Sequence, residues 1–85
     1  MTYGYVYILR CKDNSLYTGR CMNLDQRLKL HNQGKGAKYT RSRRPCKLVY
    51  YEEINNKSEA LKREIAIKKL TKAKKEDLVQ SFKDK

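Results

Sequence analysis

Two short tyrosine motifs stand near the N-terminus, Tyr5-Val6-Tyr7 and, ten residues on, Tyr17-Thr18-Gly19. Arg27 and His31 follow at a spacing of four, and a lone acid, Glu64, stands further on. These residue types suit work on a phosphodiester. Hydrolysis there needs an activated water, a cation on the phosphate oxygens and a partner for the developing charge. Mg²⁺ is commonly held by only one or two carboxylates and keeps several waters, so Glu64 alone is sufficient in principle. Arg27 offers phosphate a planar fork that never loses its charge. Gly19 permits a close approach that a side chain would block. A tyrosine titrates near 10, so its use as a base requires help, for which metal-bound water, Arg20, Arg27 and a proton-accepting His31 are the candidates.

Each residue also has a plainer use. Strand tyrosines usually pack, and with seven Tyr and no Trp most of these must be structural. A lone histidine is more often structural than catalytic. Glu64 could simply pair with Lys68 at i,i+4, or with Lys57 or Lys62. The case for a site rests on order and spacing together.

The elements that would position these groups follow from local patterning. Residues 3–11 read as a strand with Tyr3, Tyr5, Tyr7 and Leu9 on one face and Val6 and Ile8 on the other, apolar on both sides. Lys12-Asp13-Asn14-Ser15 has turn composition, and residues 16–21 return as a second strand. Asn23 caps a helix with Gln26 at its third position; Leu24, Leu28 and Leu30 form its core side, and Gly34 ends it. Arg27 and His31 share one face of that helix. Residues 34–45 read as a basic loop, residues 46–54 as a third strand. Ser58, with Glu59 behind it, starts a helix running to about residue 70, its core side Ala60, Leu61 and Ile65. Thr71 caps a last helix carrying Leu78, Val79 and Phe82. The expectation is one α+β domain over residues 1–85: a three-stranded antiparallel sheet flanked by helices, in the order β-β-α-β-α-α.

Composition narrows the partners. Twenty-one Lys and Arg against nine Asp and Glu leave a formal charge of +12 on 85 residues. Lys35, Lys38, Arg41, Arg43, Arg44 and Lys47 form one acid-free cluster, and Lys68, Lys69, Lys72, Lys74 and Lys75 a second. Such self-repulsion destabilises a compact state unless a polyanion sits nearby, which points to nucleic acid. Neither cluster carries an apolar face that could enter a membrane, and no run approaches the roughly 18 apolar residues of a membrane span. The N-terminus lacks a signal-peptide layout, so a cytoplasmic protein is expected, nucleoid-associated if DNA is the substrate. Cys11, Cys21 and Cys46, with one histidine, cannot form a standard four-ligand zinc site, and are expected as reduced structural thiols without a disulfide partner. The oligomeric state is not legible.

The ordered set Tyr5-Val6-Tyr7, Tyr17-Thr18-Gly19, Arg27, His31 and Glu64 resembles the GIY-YIG nuclease superfamily, over nearly the whole chain. Its small standalone bacterial subgroup, the UPF0213 type, is the nearest in pattern. The stretches His31-Asn32-Gln33-Gly34, Ala37-Lys38-Tyr39-Thr40-Arg41, Pro45-Cys46-Lys47-Leu48-Val49-Tyr50 and Ala60-Leu61-Lys62-Arg63-Glu64 look typical of that subgroup. The resemblance implies that Tyr7 ends the first motif and Tyr17 opens the second, with Gly19 as the second motif's glycine. It implies that Arg27 is the catalytic arginine, His31 the position one turn later, and Glu64 the ligand of a single Mg²⁺ or Mn²⁺. Tyr7 then reads as the general base with His31 assisting, and Tyr17 as a second hydroxyl placing water or phosphate. Arg20 stands where some relatives carry a lysine near the phosphate. Two positions depart from the pattern: Tyr5 replaces the motif's glycine and Thr18 its isoleucine. An asparagine of some relatives has no counterpart, and Lys72 or Lys74 is the candidate substitute.

Two functions follow. One is a metal-dependent endonuclease domain acting on nucleic acid, DNA ahead of RNA, gripped by Lys35, Lys38, Arg41, Arg43, Arg44, Lys68, Lys72 and Lys74, with Tyr39 stacking on a base or ribose. The other is a nucleic-acid-binding module without catalysis. A third, an interaction domain serving a separate specificity factor, has no residue that names its partner.

Overall fold

The structure is a computed structural model describing residues 2–84. Strands β1 (Gly4–Arg10), β2 (Leu16–Cys21) and β3 (Lys47–Ile54) form one antiparallel sheet in the order β2-β1-β3. Helices α1 (Leu24–Asn32) and α2 (Lys38–Arg41) lie between β2 and β3 in sequence, and α3 (Lys57–Lys68) and α4 (Lys72–Lys83) follow. The expected α+β order therefore holds, with one addition: the basic stretch is not all loop but contains the helical turn α2.

The central strand explains the layering. Because β1 is apolar on both faces, Val6, Tyr7, Ile8 and Leu9 all being buried, both faces are covered, and its alternation splits the core in two. Val6 and Ile8 join Leu16, Tyr50, Ile54, Ala60, Ile67 and Val79 beneath α3 and α4. Tyr7 and Leu9 join Cys11 and Cys46, with Leu24 and Leu28 of α1 packed against them. A register shift in the β1–β3 pairing between Ile8 and Leu9 leaves Val49 as an extra residue, so Val49 and Tyr50 both pack toward α3 and α4 while Leu48 faces α1. Tyr3 precedes the strand and packs with the α3/α4 cluster, not on the face of Tyr5 and Tyr7 as strict alternation suggested. The three cysteines are free.

Helix ends follow capping chemistry. Asn23 Oδ1 accepts from Gln26 N at 2.9 Å, and Thr71 Oγ1 from Lys74 N at 3.2 Å, in agreement with the sequence pattern. The α3 cap is Asn56, accepting from Glu59 N at 2.9 Å, one residue before the helix rather than Ser58 within it. Gly34, with φ +81°, turns the chain after α1. On α1, Leu30 stays half-buried outside the core and the buried residue is His31.

The core side of α3 differs from expectation. Ala60 and Ile67 are fully covered, whereas Ile65 is 52% exposed. The stripe is 60, 64 and 67, so Glu64 occupies a position that packing would assign to an apolar residue. On β2, Thr18 is buried with its Oγ1 unpartnered among the described residues, in the place of the family pattern's isoleucine.

Two expectations follow. Ile67→Ala should cost about 2–5 kcal/mol in urea unfolding, while Ile65→Ala should stay within about 0.5 kcal/mol. Thr18→Val should stabilise the protein by about 1 kcal/mol by removing an unsatisfied buried hydroxyl.

Candidate active site

Tyr7 lies opposite Gly19 in the β1–β2 ladder, and directly paired residues present side chains to the same face. A Cβ on Gly19 would lie 2.7 Å from Tyr7 Oη and 2.9 Å from Cζ. The missing side chain is therefore what admits the phenol ring over β2. Tyr7 is only 2% exposed, so its hydroxyl needs a partner. That partner is His31 on α1, whose Nε2 lies 2.9 Å from Tyr7 Oη. On the other side of the imidazole, Nδ1 lies 2.7 Å from Thr40 Oγ1, and Thr40 in turn donates to the Ala37 carbonyl at 3.1 Å. A Cβ on Gly36 would lie 2.5 Å from His31 Cγ, so the chain after α1 passes flat against the ring.

Around this pair the aromatic groups close up. The Tyr17 ring lies 5.2 Å from that of His31 and 6.5 Å from that of Tyr7. Tyr39 stacks on Tyr17 at 5.8 Å, and the Arg43 guanidinium sits 4.0 Å from the Tyr39 centroid. Arg43 also bonds Asp13 and the Tyr39 carbonyl. A base stacking on that face of Tyr39 must displace Arg43.

Arg27, one turn before His31, is half-buried, and its charge acts on Tyr7, His31 and Cys21. Burial raises the Tyr7 phenol well above its usual value, the neighbouring Tyr17 raises it further, and Arg27 opposes both. Burial lowers His31 below its ordinary 6.5, and Arg27 lowers it further, so the imidazole is neutral near pH 7.

Glu64 lies on the other side of the sheet. Its Oε1 accepts from Arg20 Nε at 3.1 Å, and its Oε2 lies 3.5 Å from Lys68 Nζ. The Lys68 pair is the plain alternative foreseen at i,i+4; the closer Arg20 pair was not foreseen, since Arg20 comes from a distant strand. Glu64 nonetheless acts electrostatically on Tyr7. Gly19 and Arg20 are adjacent on β2 and face opposite sides of an edge strand, so the two halves meet across that edge. A cleft of about 210 Å³ lined by Tyr5, Arg20, Cys21, Arg27 and Ala60 spans it.

For a divalent ion the donor set is one carboxylate of 16% side-chain exposure, and the described residues contain no group of three or more His, Cys, Asp and Glu. A single hard oxygen fits an ion that retains its waters, with Arg20 or Lys68 giving way to it.

The basic residues divide. Lys35, Lys38, Arg41, Arg44, Lys68, Lys72 and Lys74 are exposed, whereas Arg43 is half-buried against Asp13 and Tyr39. Arg44 bonds the Arg41 carbonyl at 2.9 Å. Lys72 lines a separate cleft of about 260 Å³ with Tyr39, Ser15 and Lys75, apart from the cleft of Arg20 and Arg27. Thr40 and Gly36 are the residues that sequence reasoning missed. Nothing local ties a threonine to a histidine nine positions earlier; only the burial of an isolated Thr among cations marks it.

The comparisons with known proteins bear on the family and the fold. The model of the GIY-YIG catalytic domain matches residues 3–77. A UPF0213 protein of Clostridium perfringens is 61% identical over 78 residues, 92% of this chain and 84% of that protein. One from Staphylococcus haemolyticus is 51% identical over 80 residues, 94% of this chain and 98% of that protein. Among solved structures, the solution structure of a UPF0213 protein from Bacillus halodurans is similar at TM-score 0.60 and 51% identity, covering 91% of this chain and 82% of that one. A protein of E. faecalis, also solved in solution, gives TM-score 0.64 and 40% identity over 96% of this chain and 88% of its own. The chain belongs to the GIY-YIG family, and its close homologues are bacterial UPF0213 proteins. The family typically uses a divalent metal and implies a nucleic-acid substrate in general terms.

His31 yields a pH expectation. The unfolded chain titrates near 6.5 and the folded one lower, so between those values the unfolded state binds more protons. Stability should therefore rise with pH through that window and be lost as pH falls below about 6.5. Urea midpoints across pH should show this dependence, and His31→Gln should flatten it. An NMR titration of the imidazole should give a midpoint below 6.5.

Proposed function

We propose that this chain is one GIY-YIG unit working as a metal-dependent endonuclease domain, hydrolysing phosphodiesters in nucleic acid, DNA ahead of RNA, in the cytoplasm. The observation that carries the reading is the buried Tyr7–His31 hydrogen bond at 2.9 Å, an acid–base pair aimed at the edge where Arg27 and Glu64 act.

The chemistry follows from the proton positions. Tyr7 in its resting state keeps its proton, because burial makes the phenolate costly. It acts as a relay: as the water oxygen bonds to phosphorus, the water proton passes to Tyr7 Oη and the Tyr7 proton passes to His31 Nε2. The bond to the leaving oxygen breaks, and that oxygen is protonated from solvent. Arg27 holds the non-bridging oxygens and offsets the charge that develops. The bare backbone at Gly19 gives the Tyr7 ring its place over β2, with Oη at the edge strand. Tyr17 places water or phosphate beside the same imidazole. Glu64 would hold a single Mg²⁺ or Mn²⁺, which when bound supplies Lewis-acid stabilisation of the phosphate. Lys35, Lys38 and Arg41, exposed and outside the ion pairs found among the described residues, grip the backbone.

The double ion pair of Glu64 with Arg20 and Lys68 favours a second reading, a binding module in which Glu64 is structural. Cleavage of nicked and branched DNA with Mg²⁺ or Mn²⁺ separates the two. Tyr7→Phe should lose about 10²–10⁴-fold in rate, Arg27→Ala about 10²-fold or more, and Glu64→Ala all metal-dependent cleavage with DNA binding retained. Gly19→Ala should lose cleavage through displacement of Tyr7. Replacing Lys35, Lys38 and Arg41 by Ala should flatten the salt dependence of binding by up to about 0.9 for each phosphate that is no longer neutralised. Binding without cleavage in the parent, or full cleavage by Glu64→Ala, would refute the nuclease reading as stated.

A further inference from the structure

Thr40 is fully buried although both of its neighbours, Tyr39 and Arg41, are exposed. Its hydroxyl has one proton and lies between two acceptor-capable groups, the Ala37 carbonyl at 3.1 Å and His31 Nδ1 at 2.7 Å. The direction of the chain is decided at its far end. If the Tyr7 proton goes to Nε2, then Nδ1–H donates to Thr40 Oγ1 and the Thr40 proton goes to the Ala37 carbonyl. Three protons then meet three acceptors. If the chain runs the other way, Nε2–H donates to Tyr7 Oη, and the proton of that buried hydroxyl has no acceptor among the described residues. A buried donor left unpaired is the costlier arrangement. The chain also passes flat against the ring at Gly36, where any side chain would enter the space of the imidazole, and this fixes where the ring lies between Tyr7 and Thr40.

We propose that Thr40 is a positioning residue: its hydroxyl, anchored on the Ala37 carbonyl, holds neutral His31 in the Nδ1–H tautomer and leaves Nε2 as the acceptor of the Tyr7 proton. The helical turn α2 is thereby part of the proton path rather than only a carrier of positive charge. Its use in catalysis rests on the reading of Tyr7 and His31 as the proton-handling pair. The tautomer itself belongs to the folded protein, with no substrate or metal required.

His31 is the only histidine in the chain, so its ring nitrogens are read without assignment ambiguity. In ¹⁵N-labelled protein, well above the imidazole titration, long-range ¹H–¹⁵N spectra should show Nδ1 protonated and Nε2 bare. Thr40→Ser should keep that pattern, and Thr40→Val should move the ring toward Nε2–H or an exchanging mixture. Nε2–H in the parent overturns the proposal, with no variant needed. So does an unchanged tautomer in folded Thr40→Val, or in Thr40→Ala should the valine variant fail to fold. Where the parent cleaves DNA, Thr40→Val should lower kcat by about 10- to 100-fold with KM little changed, and Thr40→Ser should restore it. A parent that shows the Nδ1–H tautomer but cleaves nothing defeats the nuclease reading and leaves the tautomer assignment standing.

Discussion

The arrangement depends on burying a phenol and an imidazole against each other. Neither group is cheap to remove from water, and each is tolerable only because the other, and the Thr40–Ala37 pair behind it, completes its hydrogen bonding. The demands of that pairing reach far along the chain. It requires a glycine opposite Tyr7 on β2 and a second glycine against the imidazole. It also requires a helical turn, within a strongly basic segment, to deliver one hydroxyl. Two of the four glycines in this chain thus have their reason in the same few ångströms.

The sheet order supplies the rest of the logic. A central β1 covered on both faces lets its odd positions serve the α1 side and its even positions the α3 and α4 side. Salt bridges then fasten the second layer: Arg10 at the end of β1 holds Glu76 of α4, and Arg63 of α3 holds Glu52 of β3 at 2.7 Å. Glu52 also accepts from Tyr50, whose phenol is pushed up to about 12 by burial first and by that carboxylate second. These groups are structural, and they account for a share of the acids that the net charge makes scarce.

Much of this is legible in the sequence, because the relevant signals are local. Strand alternation, two of the three helix caps and the spacing of Arg27 and His31 each lie within a few residues. What is not legible depends on distance. Ile65 looks as apolar as Ile67, and only the direction from which α3 meets the sheet decides which is covered. Arg20 and Glu64 are 44 positions apart, and Thr40 meets His31 only because Gly34 and Gly36 turn the chain back. Residues 34–45 read as a basic loop because their charges are conspicuous, while the one residue there that is fully buried is uncharged.

Placing the Tyr7–His31 pair and the Glu64 carboxylate on opposite faces of a sheet would separate them in most folds. Here it does not, because β2 is an edge strand and the two faces meet along it. Successive residues Gly19 and Arg20 point to the two sides, one leaving room for Tyr7 and the other reaching Glu64. Phosphate at that edge would face Arg27 from one layer and Arg20 from the other, and Arg20 is the cation that Glu64 now occupies. The ion pair thus does two things at once. It keeps an acid at a buried-stripe position of α3 satisfied, and it holds Arg20 at the mouth of the cleft. An anion arriving there competes with Glu64 for Arg20. In the proposed function, loosening that pair exposes the carboxylate oxygens where a divalent cation would be held, so substrate and metal would favour each other's entry.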